Sequence, residues 1–500
     1  MESQPTTEAC SYDELPFPCR PRPDTHPDHV AAVATLFGAK PPAAETCRVL
    51  EIGCGDGGNL IPMAAALPRA SFVGVDLSLR QIAEGQERVA GLRLGNVALQ
   101  HRDLCDLDPG FGIFDYIIAH GVYSWIPPAV QEKLLRICKE NLAQSGIAYV
   151  SYNTYPGWCA RGILRDYLLR NTSGADTPQE RTRKARASLE ALGARLAADR
   201  SVSPIEGAYR QLLLGAIEPV RKAPSGYLFH EYLEEWNEPL YFEQFVERAE
   251  AVGLAYVADA NLKTMPHELA PALACDAEVA GPKWLAAEQL RDIAVNRGFR
   301  ETLLGHADVV ARRPVSPRGL KDLLVASELP VQAEVVTGRA SARGAAVVRV
   351  PGPGLGVARP ALGDTACAHL ANIWPRNVGF DALLAEAGGR EADAPRLAAT
   401  LLRGAALGVI ELRTLAFPGV AEVTECPQAS PVSRLHAERK EAITNLRHAS
   451  LELPEGLERR ALALLDGTRD TKALALALEC QEDRLAATLG ELARLSLLVA

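Results

Sequence analysis

A short run of residues near the N-terminus has the composition of a cofactor-binding turn. Arg48 to Ile52 form a run that is apolar apart from Arg48 and Glu51, and Gly53, Gly55 and Gly58 follow it. Glycine has no Cβ, so a backbone rich in glycine can approach a ligand closely. The apolar run predicts a buried strand, and the residues after the turn predict a helix. We therefore expect a ligand to bind where this strand ends.

Glu51 distinguishes between two cofactors that suit such a turn. The spacing Gly-x-Gly-x-x-Gly is also that of dinucleotide-binding proteins, and Asp76 follows about twenty residues later, where an acid binds a ribose diol. S-adenosylmethionine has the same diol, and it brings an ammonium group and no pyrophosphate. The carboxylate of Glu51 attracts an ammonium group and repels a phosphate. A turn that only connects a strand to a helix would leave Glu51 without a role. We therefore predict S-adenosylmethionine as the cofactor.

The third predicted strand supplies further candidates for cofactor binding. Asp103 follows that strand and is placed to accept a hydrogen bond from an adenine amino group, while Leu104 could donate its backbone N–H to the ring. A simple turn aspartate is the other interpretation of Asp103. The predicted cofactor-binding residues are Tyr12, Glu51, Gly53, Cys54, Gly55, Asn59, Asp76, Leu77, Asp103, Leu104 and His120.

Two aromatic segments follow the fourth and fifth predicted strands, His120 to Pro127 and Ser151 to Trp158. Methyl transfer from a sulfonium is an in-line displacement, so the protein has mainly to align donor and acceptor and to exclude water. Aromatic rings lower the pKa of a lysine amine by desolvation and tolerate a methylated ammonium. The candidate acceptor-site residues are His120, Tyr123, Trp125, Tyr155 and Trp158, although aromatic residues beside prolines also pack under loops. The sequence Asn-Thr-Tyr-Pro at residues 153–156 differs from the Asn-Pro-Pro-Tyr loop of amino-methylating enzymes and gives little support to DNA-adenine methylation.

The elements that must position these residues predict an α/β fold. Predicted strands over residues 48–52, 71–75, 97–101, 114–119 and 146–151 alternate with helices, as in an open parallel sheet whose ligands bind at the carboxyl ends of the strands. A mostly helical insertion covers Trp158 to Val220, and its basic run at residues 181–186 is interpreted as a solvated helix face. Two later helix–strand pairs, with strands over residues 254–259 and 302–306, would complete a Rossmann-like, seven-stranded methyltransferase sheet.

The C-terminal third contains a repeat. Arg396 to Leu401 recurs as Arg484 to Leu489, each in a predicted helix that follows a shorter helix and precedes a strand-like run. This outline is that of a winged-helix unit, present twice. Acids at the start of each second helix would repel phosphate, which favours protein binding over DNA binding. The apolar runs within Val336 to Arg359 suggest a small sheet. The predicted domains are a cofactor-binding core (1–157), the insertion and completion of the sheet (158–312), a Pro/Gly-rich segment (313–375) and two winged-helix-like modules (376–500).

Composition excludes several classes of protein. The 500 residues are 48% hydrophobic and 23% charged, with a formal net charge of −9, which argues against non-specific binding to nucleic acid or anionic lipid. No run approaches the ~18 apolar residues of a membrane span, and no signal peptide is recognisable, so we expect a cytoplasmic protein. The 11 cysteines include no Cys-x-x-Cys pair, so we expect no metal site. A homodimer is compatible with the sequence.

Five separate blocks resemble one family. Tyr12 to Pro18, the cofactor turn, His120 to Trp125 with Ser151 to Trp158, His230 to Leu233, and Asn296 to Leu304 are together similar to bacterial methyltransferases that carry a methyltransferase regulatory domain. That family includes protein-lysine methyltransferases that act on outer-membrane proteins. The resemblance covers about residues 10–310 and is looser over 320–500.

The resemblance implies a class I fold that binds S-adenosylmethionine, with a lysine side chain of a protein as the acceptor. It implies cofactor roles for Glu51, Gly53, Gly55, Asp76 and Asp103, a place beside the acceptor for the block His120 to Trp125, and a lid role for Tyr12. Two other functions stay open on the residues alone: methylation of a small molecule, and a non-catalytic protein that senses the cofactor and binds a partner.

Overall fold

The computed structural model describes residues 11–198, 203–265, 284–309, 315, 317–329 and 362–499. The small sheet predicted within Val336 to Arg359 lies outside these residues. Among the helices that are described, none combines the length and the apolar composition needed to cross a membrane.

Seven strands form the central sheet, in the order β3-β2-β1-β4-β5-β7-β6. The strands are β1 (Arg48–Ile52), β2 (Ser71–Asp76), β3 (Val97–His101), β4 (Phe114–Ala119), β5 (Leu142–Asn153), β6 (Leu254–Asp259) and β7 (Phe299–His306). Strands β1 to β5 pair in parallel, whereas β7 lies antiparallel between β5 and β6. This order and the reversed strand confirm the predicted methyltransferase sheet. β5 and β7 begin four and three residues earlier than the sequence suggested.

Helices cover both faces of the sheet and form the insertion. In chain order they are α1 (Ser11–Glu14), α2 (Pro27–Leu36), α3 (Leu60–Ala66), α4 (Leu79–Gly91), α5 (Pro128–Glu140), α6 (Trp158–Thr172), α7 (Pro178–Ala198), α8 (Pro204–Lys222), α9 (Ser225–Tyr232), α10 (Phe242–Ala251) and α11 (Trp284–Val295). Alternate residues of β1 pack on opposite faces: Val49 joins a core with α2 and α3, and Leu50 joins a core with α5 and α10. This two-sided burial explains why β1 reads as a nearly continuous apolar run.

The helical insertion consists of α6 to α9, which share their own apolar core. Two arginines of the basic run on α7 have a structural role. Arg181 donates to the carbonyl of Leu233 at the end of α9, and Arg186 donates to the carbonyl of Ala223 at the end of α8. Cations at helix C-termini satisfy the last carbonyls and stabilise the helix dipole.

Two C-terminal units follow. The first consists of β8 (Leu324–Ala326), α12 (Leu362–Ile373), β9 (Val378–Gly379), α13 (Phe380–Glu386), α14 (Ala394–Ala406) and β10 (Glu411–Arg413), with the sheet order β10-β8-β9. The second contains α15 (Pro431–Glu438), β11 (Ile443–Thr444), β12 (Ser450–Leu451), α16 (Leu457–Leu464), α17 (Thr471–Leu478) and α18 (Glu482–Arg494).

The sequence repeat falls at equivalent places in the two units, on α14 and on α18. The three-stranded sheet of the first unit is reduced in the second to two isolated bridges, Ala429 with Leu498 and Gln428 with Asp466. The core of the first unit is continuous with that of α2 and α3, whereas the second unit has a separate core. The helices agree with the winged-helix prediction, but the final predicted strand at residues 496–499 is a single bridge.

Candidate active site

A cavity of 610 Å³ opens at the carboxyl edge of the parallel strands. The turns after β1, β2 and β4 form its floor, and residues of the N-terminal segment and of α9 form its roof. Eight of the predicted site residues line it: Tyr12, Gly53, Gly55, Asp76, Leu77, Leu104, His120 and Trp125. The sheet order therefore brings together residues that are more than one hundred positions apart in the chain.

The glycine turn is held in a conformation that requires glycine. Gly53 has φ +75° and Gly55 has φ +53°, both in the left-handed region. A Cβ on Gly55 would collide with the sulfur of Cys19, because the N-terminal segment crosses directly over the turn. The carboxylate of Asp76 accepts hydrogen bonds from the N–H of Gly55 at 2.8 Å and of Ser78 at 2.8 Å. Asp76 therefore fixes the turn and also faces the cavity, and burial raises the pKa of its carboxyl group.

Glu51 lies behind the turn and does not line the cavity. One carboxylate oxygen, Oε1, accepts a hydrogen bond from Asn59 Nδ2 at 2.7 Å. The other, Oε2, is buried with no hydrogen-bond partner among the described residues. Burial, with repulsion from Asp76 and Asp56, raises the pKa of Glu51 to about 8. An unpartnered buried carboxylate oxygen beside a glycine turn fits the ammonium group of S-adenosylmethionine, which would supply the missing donor and the missing charge.

Asn59 connects Glu51 to two distant parts of the chain and does not itself line the cavity. Its Oδ1 accepts from the backbone N–H of Arg22 at 2.8 Å and lies 2.8 Å from Nε2 of His448. Its amide group also donates to Thr25 at 3.0 Å. The N-terminal segment and the second C-terminal unit therefore both contact Asn59, the side chain that donates to Glu51. Asn59 is a positioning residue in this structure.

The roof of the cavity is an aromatic stack. Tyr12 lies against His230 with ring centroids 4.0 Å apart, and Phe17 contacts the same imidazole edge-on at 6.0 Å. Nδ1 of His230 lies 2.6 Å from Glu234, and Nε2 lies 2.5 Å from the carbonyl of Leu15. His230 thereby fastens the N-terminal segment to α9. Tyr12 is therefore part of the roof, and its lid role stays a prediction.

Besides Glu51 and Asn59, five of the predicted site residues lie away from the cavity. Tyr123 is fully buried against Tyr152 and Phe245, because the short turn Tyr123–Trp125 directs its first residue into the core and its last toward the cavity. Cys54 is buried under the turn against Gly74. The Asp103 carboxylate accepts from the N–H of Cys105, as in the simple turn. Tyr155 packs on Tyr241, and Trp158 is buried behind Trp125.

The part of the cavity lined by the N-terminal segment, α9 and the start of β7 carries carboxylates that the sequence reasoning missed. Asp24, Glu231 and Glu301 line it together with rings of Trp125, Tyr227 and Phe299. Burial raises the pKa of Glu231 to about 7 and that of Glu301 to about 7. Three cations, Arg22, Arg102 and Arg161, also line the cavity. The blocks His230 to Leu233 and Asn296 to Leu304 contained this signal, but no role was assigned to their acids.

A chain of hydrogen bonds connects His120 with Glu301. Nδ1 of His120 lies 2.9 Å from the hydroxyl of Tyr149, which donates to Glu301 Oε1 at 2.8 Å. Burial, with the charge of Arg22, lowers the pKa of His120 to about 3, so its imidazole is neutral at physiological pH. Among the described residues, no group of three or more His, Cys, Asp or Glu side chains is arranged to hold a metal ion.

Comparison with known proteins agrees with this geometry. Three family models match: a methyltransferase domain over residues 50–148, a predicted methyltransferase regulatory domain over 224–306, and the C-terminal winged helix domain of PKMT over 425–491. The regulatory-domain match spans α9, α10 and α11 as well as β6 and β7, so part of it completes the sheet.

Relatives in Rickettsia match much of the chain. The uncharacterised protein RP789 of Rickettsia prowazekii is 39% identical over 310 residues, and this chain spans 55% of its length. RP028 of the same organism, also uncharacterised, is 36% identical over 244 residues, which are 95% of that protein and 49% of this chain. The structure of PKMT2 from Rickettsia typhi in complex with AdoHcy superimposes with a TM-score of 0.79 at 26% identity, covering 97% of this chain and 100% of that one.

The sheet order, the glycine turn and these matches define the class: the chain belongs to the S-adenosylmethionine-dependent methyltransferases. Within that class, it belongs to the family that joins a methyltransferase regulatory domain to a PKMT C-terminal winged helix domain.

Proposed function

We propose that this protein transfers methyl groups from S-adenosylmethionine to lysine side chains of a protein. The supporting observation is the acceptor half of the cavity, where Asp24, Glu231 and Glu301 lie with Trp125 and Phe299. Carboxylates attract the lysine ammonium, and aromatic faces accept it before and after methylation. The structural relative PKMT2 bears the abbreviation of a protein-lysine methyltransferase, which supports the same acceptor.

The residues in and behind the glycine turn support donor binding at this end of the cavity. Gly53 and Gly55 would let its amino-acid end approach the backbone, Glu51 would hold its ammonium group, and Asp76 would bind its ribose. When bound, S-adenosylmethionine supplies an electrophilic methyl group on a sulfonium. The chain itself aligns the acceptor in line with that methyl and excludes water, which are the main contributions that such a displacement needs.

The test is to incubate the protein with donor carrying an isotopic methyl group and a cell extract, and then to locate the label by mass spectrometry. We expect the label on lysine residues of proteins. Label on low-mass species would replace this proposal with small-molecule methylation, and donor binding without any transfer would indicate a sensing protein. Gly55→Val is the matched control, because its side chain would collide with Cys19 and occupy the turn.

A further inference from the structure

If the acceptor is a lysine amine, as proposed above, it must lose a proton before it can attack the methyl group. An unperturbed lysine has a pKa near 10.4, so only about 1 in 2,500 side chains is neutral at pH 7. Desolvation in the cavity lowers that pKa, but the proton still needs an acceptor inside a site that excludes water. A group within the cavity must therefore take the proton from the ammonium.

The hydrogen-bond directions fix the form of His120. With Glu301 ionised, the hydroxyl of Tyr149 donates to the carboxylate, so its oxygen is free to accept from Nδ1–H of His120. The imidazole then carries its proton on Nδ1 and keeps a lone pair on Nε2. That second nitrogen makes no hydrogen bond within the described part of the chain, and the residue lines the cavity. His120 thus provides a neutral proton acceptor beside the acceptor half of the site.

The groups around this chain favour a proton that ends on Glu301. Burial disfavours the ionised carboxylate, and Asp24 of the N-terminal segment and Asp259 of β6 repel negative charge there. Together they outweigh the hydrogen bonds from Tyr149 and Asn261, which favour the ionised form, and raise the pKa of Glu301 to about 7. Arg22 lies near His120 and Tyr149 and repels positive charge from the imidazole. Tyr149 is 1% exposed, so water does not interrupt the chain. A proton that enters at His120 is therefore driven toward Glu301.

We propose that His120, Tyr149 and Glu301 form a proton relay that deprotonates the acceptor ammonium. Nε2 of His120 takes a proton from the ammonium and Nδ1 gives its proton to the Tyr149 oxygen. The hydroxyl proton of Tyr149 passes in turn to Glu301. The products are a neutral amine, a protonated Glu301 and an imidazole with its proton on Nε2. After the amine has attacked the methyl group, the relay runs in reverse: Glu301 returns its proton to the Tyr149 oxygen, Tyr149 gives its hydroxyl proton to Nδ1 of His120, and Nε2 releases its proton to solvent through the cavity.

The test compares the pH dependence of lysine methylation in the wild type, Glu301→Gln and Tyr149→Phe. The wild-type rate should fall as the pH drops through about 7, because Glu301 must be ionised to accept the proton. In Glu301→Gln we expect kcat to fall by about 100-fold at pH 7 and to recover as the pH approaches 10, when solvent deprotonates the lysine. A peptide in which thialysine replaces lysine should restore part of the rate, since its amine has a lower pKa.

Glu231→Gln is the matched control, because it removes an equal charge from the same cavity without touching the relay. It should raise KM for the acceptor and leave the pH profile of kcat unchanged. Nitrogen-15 NMR of histidine gives a readout that is independent of turnover: His120 should be protonated on Nδ1 in the wild type and should lose this preference in Tyr149→Phe. Calorimetry should show unchanged donor affinity in Glu301→Gln.

The outcomes separate the relay from the proposed function. If the wild type methylates no lysine at any pH, the proposed function fails, and the NMR result still reports on the hydrogen-bond chain. If the wild type methylates lysine but Glu301→Gln keeps its rate and its pH profile, the relay is wrong. A wild-type His120 with its proton on Nε2 would also overturn it.

Discussion

Glu51→Gln should stabilise the protein in the absence of donor and weaken its affinity for S-adenosylmethionine. Burial raises the pKa of Glu51 from 4.5 to about 8. Below pH 4.5 the carboxyl is protonated in both the folded and the unfolded chain, so it contributes no penalty. As the pH rises from 4.5 to 8, the unfolded chain ionises and the folded chain does not, so stability is lost. The shift corresponds to about 5 kcal/mol, fully expressed at pH 8.

The affinity of the donor should show the opposite dependence. An ammonium group beside Glu51 favours the ionised carboxylate, so binding releases a proton at pH 7. If the pKa of Glu51 falls below 6 in the complex, affinity should rise about 20-fold between pH 6 and 7.5, where the donor's own amine is still charged. Glu51→Gln should lose this rise together with most of the affinity.

Two measurements check these expectations. Denaturant unfolding without donor should give a gain in free energy for Glu51→Gln at pH 8 that nearly disappears at pH 5. Titration calorimetry in buffers of different ionisation enthalpy should show release of close to one proton on donor binding to the wild type at pH 7. Glu84→Gln, on the exposed face of α4, is the control and should change either quantity by less than about 0.5 kcal/mol. Equal affinities for the wild type and Glu51→Gln would refute the assignment of Glu51.

Four further substitutions test other parts of the structure. His448→Ala removes a hydrogen-bond partner of Asn59. Calorimetry should show donor binding weakened about fivefold, which corresponds to one lost hydrogen bond. An unchanged affinity would show that the second C-terminal unit does not support the site. Arg300→Leu removes a buried cation that pairs with Asp259 and Asp292 and leaves Arg297 as the cation beside them. It should cost about 3–5 kcal/mol in denaturant unfolding, whereas a smaller loss would mean that Arg297 or water compensates the two carboxylates. Tyr123→Phe should keep kcat/KM, since this ring packs in the core, while Trp125→Ala should lower it at least about tenfold.

Much of the fold was accessible from the sequence, because buried parallel strands read as apolar runs and their helices as amphipathic segments. The ends of β1 and β4 were placed correctly, and so the residues directly after them, Gly53 and His120, were correctly assigned to one cavity. The sequence could not predict whether a loop residue faces the core or the cavity. Tyr123 and Trp125 are two positions apart in one short turn, and only packing against Phe245 decides which of them faces the core.

Glu301 and Phe299, which the proposed function places beside the acceptor, were missed because of strand direction. In a parallel sheet the ligand groups follow the strands, so attention falls on residues after each strand. β7 runs the other way, and its register pairs Ser151 with Glu301 and Asn153 with Phe299. The beginning of β7 therefore lies at the same edge as the end of β5, and Glu301 comes within reach of Tyr149 and of the cavity. A reversed strand allows one sheet to present donor contacts from strand ends and acceptor contacts from a strand beginning. Because β7 and α9 both fall within the region matched by the regulatory-domain model, that region contributes Glu231 and Glu301 directly to the site. If the proposed function holds, sequence differences in this region among relatives should therefore alter which acceptor is methylated more readily than they alter binding of the donor.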